Sequence, residues 1–584
     1  MNQIQRNYNG LGQLTTEYQA TSGSVNTSTT PKVQYAYSEM ASGANHSRLT
    51  SMTYPNGRVL TYAYGSGLDD SISRLTSISD GSTSLESYSY LGLGNVVKRS
   101  HAETGVDLTA IKFSGESTTD AGDQYTGLDR FGRVIDQRWT TSGGTTKDRY
   151  QYGYDRDSNR TYKENLVSST DSEVYSYDGL NQLTSTERGT LNGTKTGLTG
   201  SATRSQSWDF DALGNFDSQT TDGTTQTRSA NKQNEITSIS GATTPTYDAN
   251  GNLTTDETGR TFKYDAWNRL AETKNSGGTT VASYRWDGTG RRVEEFRGSN
   301  TTDLYYSAQW QVLEERLNGN PVDSYAWSPV YVDAMIARDR DTDANGSLDE
   351  RLYPTQDANF NVTSLIDSSG NVVERYQYDA FGSYSVLSPS WGARSSSSYG
   401  WNYLHQGGRW DADAGVYSFR NRELSPTLGR WMQNDPIGHD SGDYNIYRYV
   451  GNNSINSIDP NGLEQFPPGG AAAITAAIGA APNAVPLLGP AVLPVGAVIL
   501  AGGTIVAGHY HIQNGGSLYT PHGLEVRDCK LVRESLFGEE PTPAPKVLAQ
   551  PAPMISSAIE LIHAERDKNR DKNKPCFVKG TPVR

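Results

Sequence analysis

Two cysteines in 584 residues, Cys529 and Cys576, leave no room for a disulfide framework. Basic charge is also short: 51 Lys and Arg stand against 65 Asp and Glu, a net charge of −14. That balance argues against a nucleic-acid partner held through its phosphates, which needs a basic face. The opening MNQIQRNYNGLGQLTTEYQA has neither an apolar core nor a basic lead and is not read as a signal peptide. No Ser-His-Asp or zinc signature supports an ordinary hydrolase acting in trans. Hydrophobic residues reach only 34%, whereas glycine numbers 60 and tyrosine 35. Tyrosine and β-branched residues favour strands; Gly, Asn, Asp and Ser favour tight turns.

One phrase repeats along the chain: YSYDGLNQLTSTE from Tyr175, WDFDALGNFDSQT from Trp208, TYDANGNLTTDET from Thr246, FKYDAWNRLAETK from Phe262, YRWDGTGRRVEEF from Tyr284 and YQYDAFGSYSV from Tyr376. Looser copies begin at Tyr8 and Tyr125. Aromatics two apart fall on one face of a strand. Asp followed by small residues and Gly or Asn closes a reversal, the Asp oxygen accepting from nearby amides. Each unit therefore reads as a β-hairpin, barely stable alone, and stacked units bury a continuous aromatic face in a quasi-one-dimensional β-structure. Uneven spacing between units argues against a propeller of equal blades. The first copy opens in mid-pattern, so the native polypeptide is expected to extend in both directions.

This repeat resembles the YD repeat of the Rhs family, which also occurs in the C subunits of bacterial insecticidal toxin complexes and in teneurins. The resemblance covers roughly residues 1–463 and implies an all-β fold, a spiralling shell of YD-repeat hairpins over residues 1–400. YSFRNRELSPTLGRWMQNDPIGHDSGDYNIYRYVGNNSINSIDPNGL, Tyr417 to Leu463, resembles the family's repeat-associated core, placed at 401–463. It departs from the family pattern at Ser425, where Asp is frequent, and at Ser454, where Pro is frequent. In that family the core is an aspartyl autoprotease cutting after its final Leu. The resemblance thus implies a cut at Leu463–Glu464, catalysed by Asp435 and Asp459, with Arg422 or Arg430 holding the anionic member. Two adjacent carboxylates cannot easily both ionise, so one keeps its proton as acid while the other activates water. Asp440 and Asp443 lie close by in sequence and compete for the assignment. Asp-Pro-Asn-Gly alone also reads as a type I turn without chemistry.

DTDANGSLDE places Asp341, Asp343, Asn345 and Asp349 at positions 1, 3, 5 and 9 of a calcium-type loop, with Gly346 at position 6. Leu352 stands where a bidentate Glu would be, and a solvated acidic loop is the competing reading. A Ca2+ here would stiffen the shell and take no part in chemistry. Beyond the cut, residues 464–536 form an apolar Gly/Ala/Pro-rich pre-toxin or translocation segment. Within it, 471–508 is long enough to cross a bilayer and offers a membrane contact, yet Pro482, Pro486, Pro490 and Pro494 interrupt any helix, and an apolar segment sheltered in the shell lumen is the competing reading. A Pro-rich linker and short amphipathic helix follow at 537–575, giving a mixed apolar and helical C-terminal region. The last nine residues, CFVKGTPVR, resemble the start of a Hint (intein-like) domain, whose first Cys, here Cys576, is a nucleophile.

The expectation is a secreted or cell-surface toxin of the Rhs type, active in interbacterial competition, with its own C-terminal effector as partner. An immunity protein or secretion-system component would be a further partner. The alternative is a YD-repeat adhesion or carbohydrate-binding protein whose core is an end cap.

Overall fold

The computed structural model describes residues 2–38, 48–113, 116 and 124–466, and the backbone of two short strands, Leu518–Tyr519 and Glu525–Val526. The chain divides into two units, Met1–Ala491 and Val492–Arg584. In the second, the two short strands pair antiparallel.

Eighteen strands, from Gln3–Tyr8 to Ile236–Ile239, make one sheet. Each pairs antiparallel with its neighbour in sequence, so the sheet is a continuous meander. A second sheet of fifteen strands runs from Thr246–Tyr247 to Ala393–Arg394. A third, of four, holds Arg409–Asp411, Val416–Phe419, Arg422–Ser425 and Arg430–Trp431. Among the described residues the one α-helical turn is Leu68–Ser71. The all-β reading holds. One apolar core joins all three sheets, with Trp139, Tyr353, Tyr417 and Trp431 among its members. Side chains also stitch sheet to sheet: Tyr54 Oη donates to the Tyr325 carbonyl at 2.8 Å and Trp139 Nε1 to the Gln356 carbonyl at 2.9 Å.

The repeat explains itself at the turn. Asp178 Oδ1 accepts from the amides of Leu180 at 2.9 Å and Gln182 at 2.8 Å. The Asn181 amide bonds back to the Asp178 carbonyl, and the Asp178 amide to the Gln182 carbonyl. Asn181 adopts a left-handed φ of 61°, and the pairing register slips beside Tyr177. This is a type I turn followed by a left-handed residue and a bulge, a geometry that suits the right-handed twist of the strands. Counting Asp (Asn231 in one unit) as the first residue, the fourth has positive φ, which favours the Asn or Gly found at Asn181, Gly214, Asn234, Gly251, Asn268 and Gly290, although Ser158 and Phe360 hold the same position elsewhere.

The two aromatics of each unit do different work. The first packs inward: Tyr152, Trp208, Phe262, Tyr284, Tyr325 and Tyr376 are all buried. The second, next to the Asp, donates a hydrogen bond to the sixth residue of the preceding turn unit. Tyr177 Oη reaches the Arg160 carbonyl at 2.8 Å, Tyr264 that of Leu253 at 2.9 Å, and Tyr378 that of Val362 at 2.7 Å. Trp286 and Trp327 do the same through the indole nitrogen, at 2.8 and 2.7 Å. Phe210 has no such donor and instead sets its ring edge-on to Phe216. Tyr or Trp is thus chosen over Phe for a polar reason.

Two substitutions test this division. Tyr264→Phe leaves the Leu253 carbonyl short of a donor and should cost about 1 kcal/mol. Asp178→Ala strips two amides of their acceptor and should cost about 2 kcal/mol. Shifts of the denaturant midpoint measure both; equal stability to wild type would show the turn bonds to be incidental.

Candidate active site

The residues after the second sheet are positioned by the turns themselves. In these turns the fourth carbonyl points off the sheet edge, and side chains of the C-terminal segment take four of them in succession. Asn453 Nδ2 donates to Asn181 O at 2.7 Å, Asn452 Nδ2 to Gly214 O at 2.8 Å, Arg430 Nη2 to Asn234 O at 2.7 Å, and Tyr447 Oη to Gly251 O at 2.6 Å. Asn434 and Asn445 add bonds to the adjacent carbonyls of Asn250 and Leu213. The Asn-rich stretch NDPIG…NIYRYVGNN is therefore a reader of turn edges. The sequence reading attended to its aspartates and missed this; the density of Asn in that stretch was the available signal.

Further along, the chain doubles back. Ile458 and Phe466 exchange both backbone hydrogen bonds at 2.8 Å, closing a loop over residues 459–465. Within it Gly462 has φ +68°, and a β-carbon there would sit 2.8 Å from the Phe419 carbonyl and 3.1 Å from the Arg422 amide. Glycine lets the loop lie directly on the strand Arg422–Ser425.

That contact brings the distant aspartates together. Arg422 Nη2 lies 2.9 Å from Asp435 Oδ2 and 3.4 Å from Asp459 Oδ2. Its Nε donates to the Gly462 carbonyl at 2.6 Å and its Nη1 to the Ile446 carbonyl at 3.2 Å. The other oxygen of Asp459, Oδ1, accepts from the Leu463 amide at 3.1 Å and the Glu464 amide at 3.3 Å. The second of these is the nitrogen of the Leu463–Glu464 bond. Asp435 Oδ1 accepts from the Ile437 amide at 3.0 Å, which leaves Oδ2 aimed at the arginine.

Burial sets the electrostatics. It pushes Asp459 up to about 6, with the Asp435 charge adding to the effect and Arg422 opposing it. Burial also raises Asp435, helped by the charge of Glu464. Arg422 is itself lowered by burial, against the pull of both aspartates. One cation thus serves two buried carboxylates, an arrangement in which the pair holds less than two full negative charges. The remaining sequence candidates lie elsewhere. Arg430 touches neither aspartate; it stacks over the Tyr447 ring and reads Asn234. Asp443 pairs with Arg448 at 2.7 Å, and Asp440 sits in the short turn Gly438–Ser441.

The acidic loop Asp341–Asp349 joins strands Met335–Arg340 and Glu350–Gln356. Asp341 accepts from the amides of Asp343, Asn345 and Gly346, while Asp349 accepts from Thr342; the Asn345 side chain donates to Asp343. Among the described residues no three His, Cys, Asp or Glu side chains converge as metal ligands. In this conformation the loop's carboxylates accept from its own donors. Cys576, the apolar run 471–508, the linker and the short helix lie outside the described residues. Among the described residues no helix is long and apolar enough to cross a membrane.

Comparison with known proteins matches residues 247–280 to the family model described as RHS Repeat. The tRNA3(Ser)-specific nuclease WapA of Bacillus spizizenii is 30% identical over 265 residues, which is 43% of this chain and 11% of that protein. Toxin subunit YenC2 of Yersinia entomophaga is 32% identical over 98 residues, 17% of this chain and 10% of that subunit. The chain thus spans about a tenth of the length of these curated relatives. The Photorhabdus luminescens Tc holotoxin pore aligns with a TM-score of 0.58 at 17% identity, covering 78% of this chain and 23% of that one. A crystal structure of TcdB2–TccC3 without its hypervariable C-terminal region gives the same score, identity and coverage. At that identity the likeness is one of fold: the β-shell.

Arg422→Gln leaves two buried carboxylates without their cation, a change that costs roughly 3–5 kcal/mol when both are charged. A group whose folded pKa is raised adds stability at low pH and loses it as pH rises through that value. The loss in melting temperature should therefore be larger at pH 8 than at pH 5, setting in as pH rises past about 6, where wild-type Asp459 ionises. A loss independent of pH would separate Arg422 from the aspartates.

Proposed function

We propose that this chain, whose residues 247–280 match the RHS Repeat family model, is the shell and self-cleaving core of a secreted RHS/YD-repeat toxin. On this reading the shell holds a C-terminal effector, and aspartyl autoproteolysis at Leu463–Glu464 separates the two. The observation that carries it is the Asp459 carboxylate bonded to the Glu464 amide while sharing Arg422 with Asp435.

The chemistry follows from the positions. Asp435, held by Arg422, is the base: it takes a proton from a water that attacks the Leu463 carbonyl carbon. Asp459 is the acid: its pKa of about 6 keeps a useful protonated fraction, and it lies on the nitrogen that must leave as an amine. The carbon–nitrogen bond breaks as that proton arrives. Asp459 belongs to the same loop as the bond it serves, so the site acts once, within its own chain. The partner is the chain's own C-terminal segment. An immunity protein or secretion-system component, and a place outside the producing cell in competition between bacteria, complete the proposal. A calcium ion in the Asp341–Asp349 loop is a separate, structural proposal and requires those carboxylates to exchange amides for the cation.

The full chain should split into pieces of roughly 50 and 13 kDa, at about 110 Da per residue on each side of the bond. Asp435→Asn and Asp459→Asn should each abolish the split. The rate should fall as pH rises through about 6, where Asp459 loses its proton. A folded wild-type chain that stays whole favours an adhesion role with the core as an end cap. Separately, titration calorimetry with Ca2+ should give heat that Asp341→Asn removes; no heat at millimolar Ca2+ retires the metal proposal.

A further inference from the structure

The scissile loop is held by more than Arg422. Three consecutive residues of one turn and strand start, Arg420, Asn421 and Arg422, grip three consecutive carbonyls, Pro460, Asn461 and Gly462. Arg420 Nη1 donates to the Pro460 carbonyl. Asn421 gives the Asn461 carbonyl both its side-chain amide at 2.9 Å and its backbone amide at 3.3 Å. Arg422 Nε takes the Gly462 carbonyl at 2.6 Å. These carbonyls lie just before the Leu463–Glu464 bond on its acyl side. Every grip is on backbone, so the cradle fixes chain position through the carbonyls, with Gly462 supplying the room for the close approach.

Arg420 is anchored in turn by the second sheet. Its Nη2 lies 2.6 Å from Asp333 Oδ1 and its Nη1 3.2 Å from Oδ2. Asp333 is almost fully buried, in the loop between strands Asn320–Trp327 and Met335–Arg340. Gly407 makes room for it: a β-carbon there would lie 2.3 Å from that of Asp333. Arg420 holds a left-handed φ of 63°, uncommon for a side chain of this size and sustained where the surroundings over-determine it. A two-armed guanidinium is needed, since one side chain must hold a carboxylate and a carbonyl at once.

Resting on the self-cleavage reading above, we propose that Arg420 and Asp333 are positioning residues for it. Through them a buried aspartate of the shell's second sheet sets the scissile bond against the Asp435–Asp459 pair. Cleavage then depends on the second sheet having folded around the core. Neither residue touches the reacting atoms, so neither is catalytic.

The test uses the full chain and follows cleavage by electrophoresis and fragment mass. Arg420→Lys keeps one cation for Asp333 but cannot also hold Pro460; Asp333→Asn keeps the shape and loses the charge. Each should slow cleavage about tenfold to a hundredfold, the scale of a small misplacement of reacting groups. Either substitution disturbs a buried ion pair and should lower the melting temperature of the uncleavable Asp459→Asn background, so cleavage is compared at a temperature well below the melting of every variant. The pH at which the rate falls should stay, because Asp459 is untouched. Cleavage at the wild-type rate in both variants overturns the proposal, as does equal slowing by a core substitution remote from the cradle that lowers the melting temperature by the same amount. If wild type itself fails to cleave, the self-cleavage reading falls, which is distinguishable from a wild type that cleaves alongside variants that cleave equally well.

Discussion

The turn with a left-handed fourth residue is the constraint from which the rest of the first unit follows. Its Asp satisfies two amides at once, its bulge keeps the twist, and its geometry leaves a carbonyl exposed at the sheet edge. Neighbouring units join through a Tyr or Trp that donates to the strand behind it. Each such bond is worth only about 1 kcal/mol net, but the acceptor is partly or fully buried, where leaving it unpaired costs more than pairing it gains. Repetition turns a marginal hairpin into a wall.

The exposed carbonyls are then used as an address. Four core side chains, Asn453, Asn452, Arg430 and Tyr447, take the fourth carbonyls of four turns. A second series, Arg420 to Arg422, takes three carbonyls of the chain's own returning loop. The same economy builds both: polar side chains ordered by burial, reading backbone carbonyls that Gly and Asn at left-handed positions present. Two buried aspartates meet at Arg422 as the product of both series. The raised pKa of Asp459 follows from its burial there, not from any peculiarity of the residue.

Much of this could be read from residue order, and the limits are physical. Strand and turn alternation is local, so Tyr-x-Tyr-Asp announced the hairpins before any fold was known. The different duties of Tyr175 and Tyr177 could not be seen, because a donor's acceptor lies some seventeen residues back, in another hairpin. Asp435 and Asp459 came from a long family pattern; their shared arginine needed the fold, since Arg422 and Arg430 look equivalent along the chain and separate only in space. Asp333 had no sequence signal at all. It is a lone acidic residue of an ordinary loop, given meaning by Arg420 eighty-seven positions later.

The pair formed by Ile458 and Phe466 lies on opposite sides of the Leu463–Glu464 link. Phe466 also rests among Tyr331, Val332 and Phe360 of the second sheet. A break at that link leaves the clasp intact, with both new ends still moored to the same wall. Were the link cut, the Ile458–Phe466 pair would still tie both new ends together, so scission by itself would not part them.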